Sequence, residues 1–198
     1  MNEDKKIDLK LFLSIVAIGI MSFSGVVVET VMNVTFPSLM EEFQIGTSLV
    51  QWITTGYLLV LAVIIPTSSY LKKRFRMKSL FMTAIILFII GTVLAAVTPV
   101  FSLLLLGRLI QGVGTGIALP LMFSITMEQV PEEKLGIMMG TASLITAMAP
   151  AVGPSLGGFI VNHFGWRIVF ILLCLHAGSN CFPVSAFTSS LHWDKDVP

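Results

Sequence analysis

The 198-residue chain is 55% hydrophobic, only 12% charged and of net charge +1, whereas soluble domains carry about 25% charged residues. A water-soluble fold of this length cannot hide that much apolar surface, and a near-neutral balance gives no basic field for nucleic acid. The expected solvent is lipid.

Residues 1–10 mix Glu3, Asp4 and Asp8 with Lys5, Lys6 and Lys10 and are expected to form a short terminus outside the bilayer. The apolar run that follows is too long for a signal-peptide core and lacks an A-x-A-like cleavage site, so it reads as a retained span. A spanning helix needs ~20 mostly apolar residues. Residues 11–36 meet that requirement, interrupted by Glu29 and Asn33 and expected to end at Pro37. A polar link with Glu41 and Glu42 leads to the second span, 53–70, with Trp52 at its mouth. The basic run Lys72, Lys73, Arg74, Arg76 and Lys78 separates it from the third span, 80–97. A tight turn at Thr98 and Pro99 precedes the fourth span, 101–127, which holds Arg108. A charged loop around Pro131 leads to the fifth, 135–161, and Trp166 opens a sixth apolar segment, 166–175, too short to cross a bilayer. Residues 176–198 read as an atypical, unstructured tail.

Runs this long and apolar on every face exclude the alternating strands of a membrane barrel. The fold class is therefore an all-α membrane helix bundle. Short-loop Lys and Arg collect on the side of the N-terminus, at Lys5, Lys6, Lys10, Lys72, Lys73, Arg74, Arg76, Lys78 and Lys134, against Arg167 alone on the other side. That bias predicts a cytoplasmic N-terminus in a multi-pass protein of the cell membrane, with Trp52 and Trp166 at the outer interface as amphipathic indoles.

Glu29 and Arg108 are the charged residues well inside predicted spans. An ionisable group at that depth costs at least ~2.5–3.5 kcal/mol on insertion scales, which makes it a candidate functional group by default. Counting inward at ~1.5 Å per residue, Arg108 is expected roughly 10 Å and Glu29 roughly 3–6 Å below the outer face, close enough for a long arginine to pair with the carboxylate. The plainer alternative is that both snorkel to headgroups. Their neighbours favour a cavity lining: Asn33 shares a helix face with Glu29, and Gln111 and Thr115 share one with Arg108. In the fifth span Ala149, Gly153 and Gly157 recur every four residues beside Pro150, Pro154 and Gly158, a pattern for close helix packing. The basic run serves topology and lipid headgroups. Cys174 and Cys181 match no metal or redox spacing. Absent Walker, hydrolase and metal-ligand motifs, no ATP, cofactor or metal is expected, nor enzymatic activity.

Together these motifs resemble the major facilitator superfamily, and within it the fourteen-helix drug:proton antiporter branch of multidrug exporters. Arg108-Leu109-Ile110-Gln111-Gly112-Val113-Gly114 is similar to the fourth-helix motif R-x-x-Q-G-x-G. Residues 149–158 resemble the antiporter motif G-x-x-x-G-P-x-x-G-G with Ala149 for its first glycine, and Glu29 to Pro37 resembles D-x-T-x-V-N-x-A-x-P with Glu for Asp. Gln51 to Leu59 resembles the start of the branch's second helix. The resemblance covers roughly 11–170 and implies proton coupling at Glu29 and Arg108. It also implies a substrate cavity near Asn33, Tyr57, Gln111 and Thr115, antiporter packing at Ala149, Gly153, Pro154, Gly157 and Gly158, and a cytoplasmic gating loop with Arg74 and Lys78. The implied cargo is a small amphipathic or cationic drug, exchanged for protons between two six-helix halves. A nutrient symporter is disfavoured by the fifth-helix pattern.

Two departures stand out. The loop usually written G-x-L-x-D-R-x-G-R-K reads Ser69 to Lys78 here, with Lys73 for the acid and both glycines replaced, while Arg74 and Lys78 remain. After Phe170 the family's string of an aromatic, Ile-Asn-x-Pro and a long apolar stretch is missing. The alternative expectation is thus a truncated copy that transports nothing, or at most partners another membrane protein. One permitted back-translation of residues 170–175, read two bases later, encodes Tyr-Ile-Thr-Leu-Pro, so a frame shift is expected. The gene's nucleotide sequence checks it: a helix-six reading frame should continue downstream, and its absence refutes the shift.

Overall fold

The computed structural model describes residues 9–188, with α1 Leu9–Phe43, α2 Thr47–Val50, α3 Trp52–Arg74, α4 Met77–Val97, α5 Phe101–Gln129, α6 Glu132–Phe164 and α7 Trp166–Thr188. Five helices among the described residues are long and apolar enough to cross a membrane, and the apolar stretch Trp166–Leu175 is a shorter sixth. The spans expected from the sequence each fall within a helix, but the helices overrun them.

The overrun is largest in α1, which continues through Pro37 to Phe43. A proline removes one backbone hydrogen bond, and packing outweighs that loss here. Leu39 is fully buried, and the Phe43 ring lies 6.2 Å from Phe101 and 6.0 Å from Trp166. The stop is set instead by Gln44, whose φ of 52° turns the chain left-handed. Ile45 N–H then reaches back to the Met40 carbonyl at 3.2 Å, in the six-to-one bond of a Schellman motif, and the Gln44 side-chain Nε2 donates to Glu41 O at 2.6 Å. Together the two bonds satisfy the last carbonyls of the helix. The longer α1 corrects the expected depth of Glu29. It lies fourteen residues before Phe43, about 21 Å of helix axis, while Arg108 lies seven residues, about 10 Å, into α5.

Two further boundaries differ from expectation. Most of the basic run is helical, with only Phe75 and Arg76 between α3 and α4. Helical backbone also continues past Leu175 to Thr188, where a tail was expected; residues 189–198, like 1–8, lie outside the described residues. Between α6 and α7 a single residue, Gly165, makes the reversal at φ 82°, which a side chain resists.

α5 is the centre of the bundle, packed on α4, α3 and α1, while α1 also packs on α6 and α7. The core joins Val28, Met32, Phe81, Phe88, Leu121 and Phe170. Outward faces carry Leu59, Val63, Ile137, Leu144 and Phe159, as suits helices whose outer solvent is lipid.

Glycines set the helix separations. A Cβ on Gly91 would fall 2.5 Å from Gly107 O and 2.6 Å from Gln111 N, and one on Gly114 would fall 2.6 Å from Ala84 O. These are backbone atoms, so α4 and α5 touch main chain to main chain. Gly112 and Gly116 serve the other side of α5, against Tyr57 and Ile64 of α3. In α6, Gly153 and Gly157 face α1 at Thr30 and Val31, which a Cβ at either glycine would strike. Ala149 is buried on the same stripe, Gly158 is half-buried near Val34, and Pro154, beside the stripe, is exposed.

Gly91→Val must therefore part α4 from α5 and should cost about 1–3 kcal/mol or more, the range for overpacking. Gly140→Ala, where an added Cβ meets nothing within 4 Å, should leave stability unchanged or raise it by up to about 1 kcal/mol through helix propensity. Thermal melts of the purified chain check the contrast.

Candidate functional site

Arg108 enters the bundle because α5 can approach its neighbours so closely. Its side chain is fully buried, with the guanidinium carbon 4.2 Å from the centre of the Tyr57 ring. Nη1 donates to Gln111 Oε1 at 2.5 Å, and Gln111 Nε2 donates to Thr92 Oγ1 at 2.8 Å. The Thr92 hydroxyl donates in turn to Phe88 O at 2.6 Å. Tyr57 completes the layer by donating from its hydroxyl to Gly25 O at 3.0 Å. Thr115 bonds to Gln111 O at 3.2 Å and presses on Gly25, where a Cβ would collide with it. Four helices thus meet through polar groups in one buried layer.

Arg108 Nε and Nη2 have no hydrogen-bond acceptor among the described residues. No ion pair within 4.0 Å joins Arg108 to Glu29 either, so the pair expected from the sequence is not formed here. The magnitudes explain how arginine stays. A desolvated cation–π contact contributes about 2 kcal/mol, and a hydrogen bond to a charged group about 1.5–3 kcal/mol. Together, at about 3.5–5 kcal/mol, they cover the ~2.5–3.5 kcal/mol insertion cost without a carboxylate.

Glu29 is half-buried on α1, one turn beyond Gly25. Asn33, one turn further, is exposed and accepts a bond from Thr54 Oγ1 at 3.4 Å. Of the residues expected to line a cavity, Tyr57, Gln111 and Thr115 are packed inside the protein, while Asn33 lies on the open stripe with Glu29. Arg74 is exposed and Lys78 half-buried, and neither forms an ion pair among the described residues. Lys72 instead reaches across to α5, donating to Ser124 Oγ at 2.5 Å.

A second polar cluster ties the opposite end. Glu42 accepts from Trp166 Nε1 at 2.6 Å and pairs with Arg167 Nη1 at 2.5 Å. Arg167 Nη2 donates to Thr98 O at 3.1 Å, and its guanidinium sits 4.4 Å from the centre of the Trp166 indole. Trp166 is only 3% exposed, which corrects its expected role as an interfacial anchor; Trp52, at 53%, keeps that exposure. Thr92 and Glu42 were not singled out from the sequence. A lone threonine in an apolar helix carries no signal, and Glu42 meets a partner 124 positions away.

The sequence pattern of the family described as Major Facilitator Superfamily matches residues 16–189. Among curated relatives, the uncharacterized MFS-type transporter YhcA of Bacillus subtilis is 45% identical over 75% of this chain and 28% of its own length. The lincomycin resistance protein LmrB of the same organism is 40% identical over 81% of this chain and 34% of its own. The multidrug resistance protein B homolog of Mycobacterium tuberculosis is 34% identical over 72% and 26%. The chain thus spans about a third or less of these relatives. The crystal structure of a D-xylose-proton symporter superposes with a TM-score of 0.75 at 20% identity, covering 88% of this chain and 47% of that one. At that identity the likeness shows the fold: the N-terminal half of a two-bundle transporter.

Tyr57→Phe keeps the ring over Arg108 and loses the bond to Gly25, so it should cost about 1 kcal/mol of stability. Tyr57→Leu also uncovers the cation and should cost roughly 2 kcal/mol more. Denaturation of the purified chain in one detergent compares the two.

Proposed function

Because the chain belongs to the Major Facilitator Superfamily, we propose that it forms the N-terminal bundle of a proton-coupled exporter of small amphipathic or cationic drugs. The observation that carries this reading is the buried Arg108, with two guanidinium nitrogens unpartnered among the described residues, in a layer that Glu29 overlooks from α1. A cation held by a ring and an amide, with a carboxylate near but unpaired, is an arrangement whose charge balance a proton or a cationic substrate can tip. The relatives named for lincomycin and multidrug resistance support drug-like cargo. The direction of transport rests on those names and on the α6 glycine stripe, since a symporter shares the fold.

In this reading the Lys72 end faces the cytoplasm of a cell-membrane protein, because the short-loop Lys and Arg gather there. Glu29 exchanges its proton against the cationic substrate, Arg108 sets the electrostatic field of the layer, and Asn33 and Thr54 offer polar contacts at its open edge. Tyr57, Gln111 and Thr115 hold Arg108 in place and do not touch the cargo. A second bundle supplies the other wall of the cavity, as alternating access between two repeats requires.

Tetraphenylphosphonium binding to the purified chain in nanodiscs tests this without the second bundle. In weakly buffered solution binding should release a proton, and Glu29→Gln should weaken binding by about tenfold and abolish the release. Binding with no proton release in the parent chain would refute the coupling, and failure of the parent to bind would refute the choice of cargo.

A further inference from the structure

Hydrogen bonds in the buried layer run in one direction. Thr92 has a single hydroxyl proton, and it goes to Phe88 O at 2.6 Å. Its oxygen is therefore left as an acceptor toward α5, where it takes the Gln111 Nε2 proton at 2.8 Å. That fixes which way the Gln111 amide points, because the same side chain cannot also turn its NH2 toward the guanidinium. The carbonyl is left facing Arg108 Nη1 at 2.5 Å. The reversed amide would set donors against a cation that is itself all donor. Position matters as much as chemistry. Gly91, next to Thr92, lets the α4 backbone lie against Gln111, so a side chain as short as threonine reaches the amide.

We propose that Thr92 is a positioning residue for Arg108: by accepting from Gln111 it orients the amide that tethers the guanidinium through Nη1. The consequence is selective. Nη1 is occupied and the cation is held over Tyr57, while Nε and Nη2, the pair of N–H groups that matches a carboxylate side-on, have no acceptor among the described residues. Thr92 thus keeps that fork available. The use made of the fork rests on the functional reading above, but the placement of the guanidinium does not.

The chain has four arginines, Arg74, Arg76, Arg108 and Arg167, so guanidinium proton exchange can be followed by nitrogen-15 NMR on the full chain in nanodiscs, with Arg108→Lys assigning the buried set. The parent and Thr92→Ser should both show slowly exchanging Arg108 protons. Thr92→Val, equal in shape but without the hydroxyl, leaves the Gln111 amide without its acceptor and loosens the tether on Arg108, so Arg108 exchange should quicken by roughly tenfold, with a modest drop in melting temperature that Thr92→Ser does not share. Thr92→Ala gives the same reading should the valine variant fail to fold. Unchanged Arg108 exchange in a folded hydroxyl-less variant overturns the proposal, as does a serine variant that behaves like valine. Parallel tetraphenylphosphonium binding separates the two readings: a parent that does not bind counts against the cargo and leaves the exchange result standing for Thr92.

Discussion

Everything in this bundle is arranged around one guanidinium that water cannot reach. In an apolar solvent the alternatives for Arg108 are to leave the layer or to find compensation inside it, and the compensation comes from its own helix and two neighbours: the Gln111 carbonyl of α5, the Tyr57 face of α3 and, through Gln111, the Thr92 hydroxyl of α4. None of these contacts reaches far. The contacts to Tyr57 and Thr92 need helix axes closer than ordinary side chains permit, and the glycines of α4 and α5 provide that approach. The glycine pattern and the buried charge are therefore one design seen twice. Small residues fix the distance, and the distance makes the cation tolerable.

Much of this is legible in the sequence. Hydropathy located the membrane-crossing helices, because a chain that must satisfy its own backbone in lipid has few ways to do so. The spacing of Arg108, Gln111 and Thr115 placed them on one face, and the structure puts all three in the buried layer. What could not be read was anything that depends on a partner in another helix. Thr92 is one hydroxyl in an apolar helix, and only the approach of α5 gives it meaning. The sequence points to an end of α1 at Pro37, since the loss of one backbone bond is local and visible, whereas the burial of Leu39 and the tilted contact of Phe43 with Trp166 are neither. The unformed Glu29–Arg108 pair has the same origin: opposite charges suggested a bond, and an aromatic face took its place.

The two polar clusters differ in kind, and the difference follows from solvent. At the Glu42 end the ion pair with Arg167 is partly exposed, with side-chain exposures of 37% and 40%, so its own contribution is about 0–1 kcal/mol. Its larger effect is geometric, because Glu42 also holds the buried Trp166 indole and Arg167 also holds the turn at Thr98. One carboxylate thereby links the ends of α1, α4 and α7. Around Arg108 the order is reversed: few contacts, all buried, each worth more because nothing screens it.

That contrast bears on how such a bundle can respond to a proton. A group whose charge is already matched by an opposite charge resists titration, and Glu42 sits in such company. Glu29 does not: it is half-buried, without an ion-pair partner among the described residues, and one helical turn from the carbonyl that Tyr57 grips. A change of charge there acts on a layer balanced by a ring and an amide, both of which orient and neither of which neutralises. The ring and amide contacts of the cation sum to about 3.5–5 kcal/mol against an insertion cost of ~2.5–3.5 kcal/mol, and in the proposed function a change in the field at α1 is what shifts the preferred place of the guanidinium. A stronger cage, with a carboxylate bound directly to Arg108, would be more stable and less responsive.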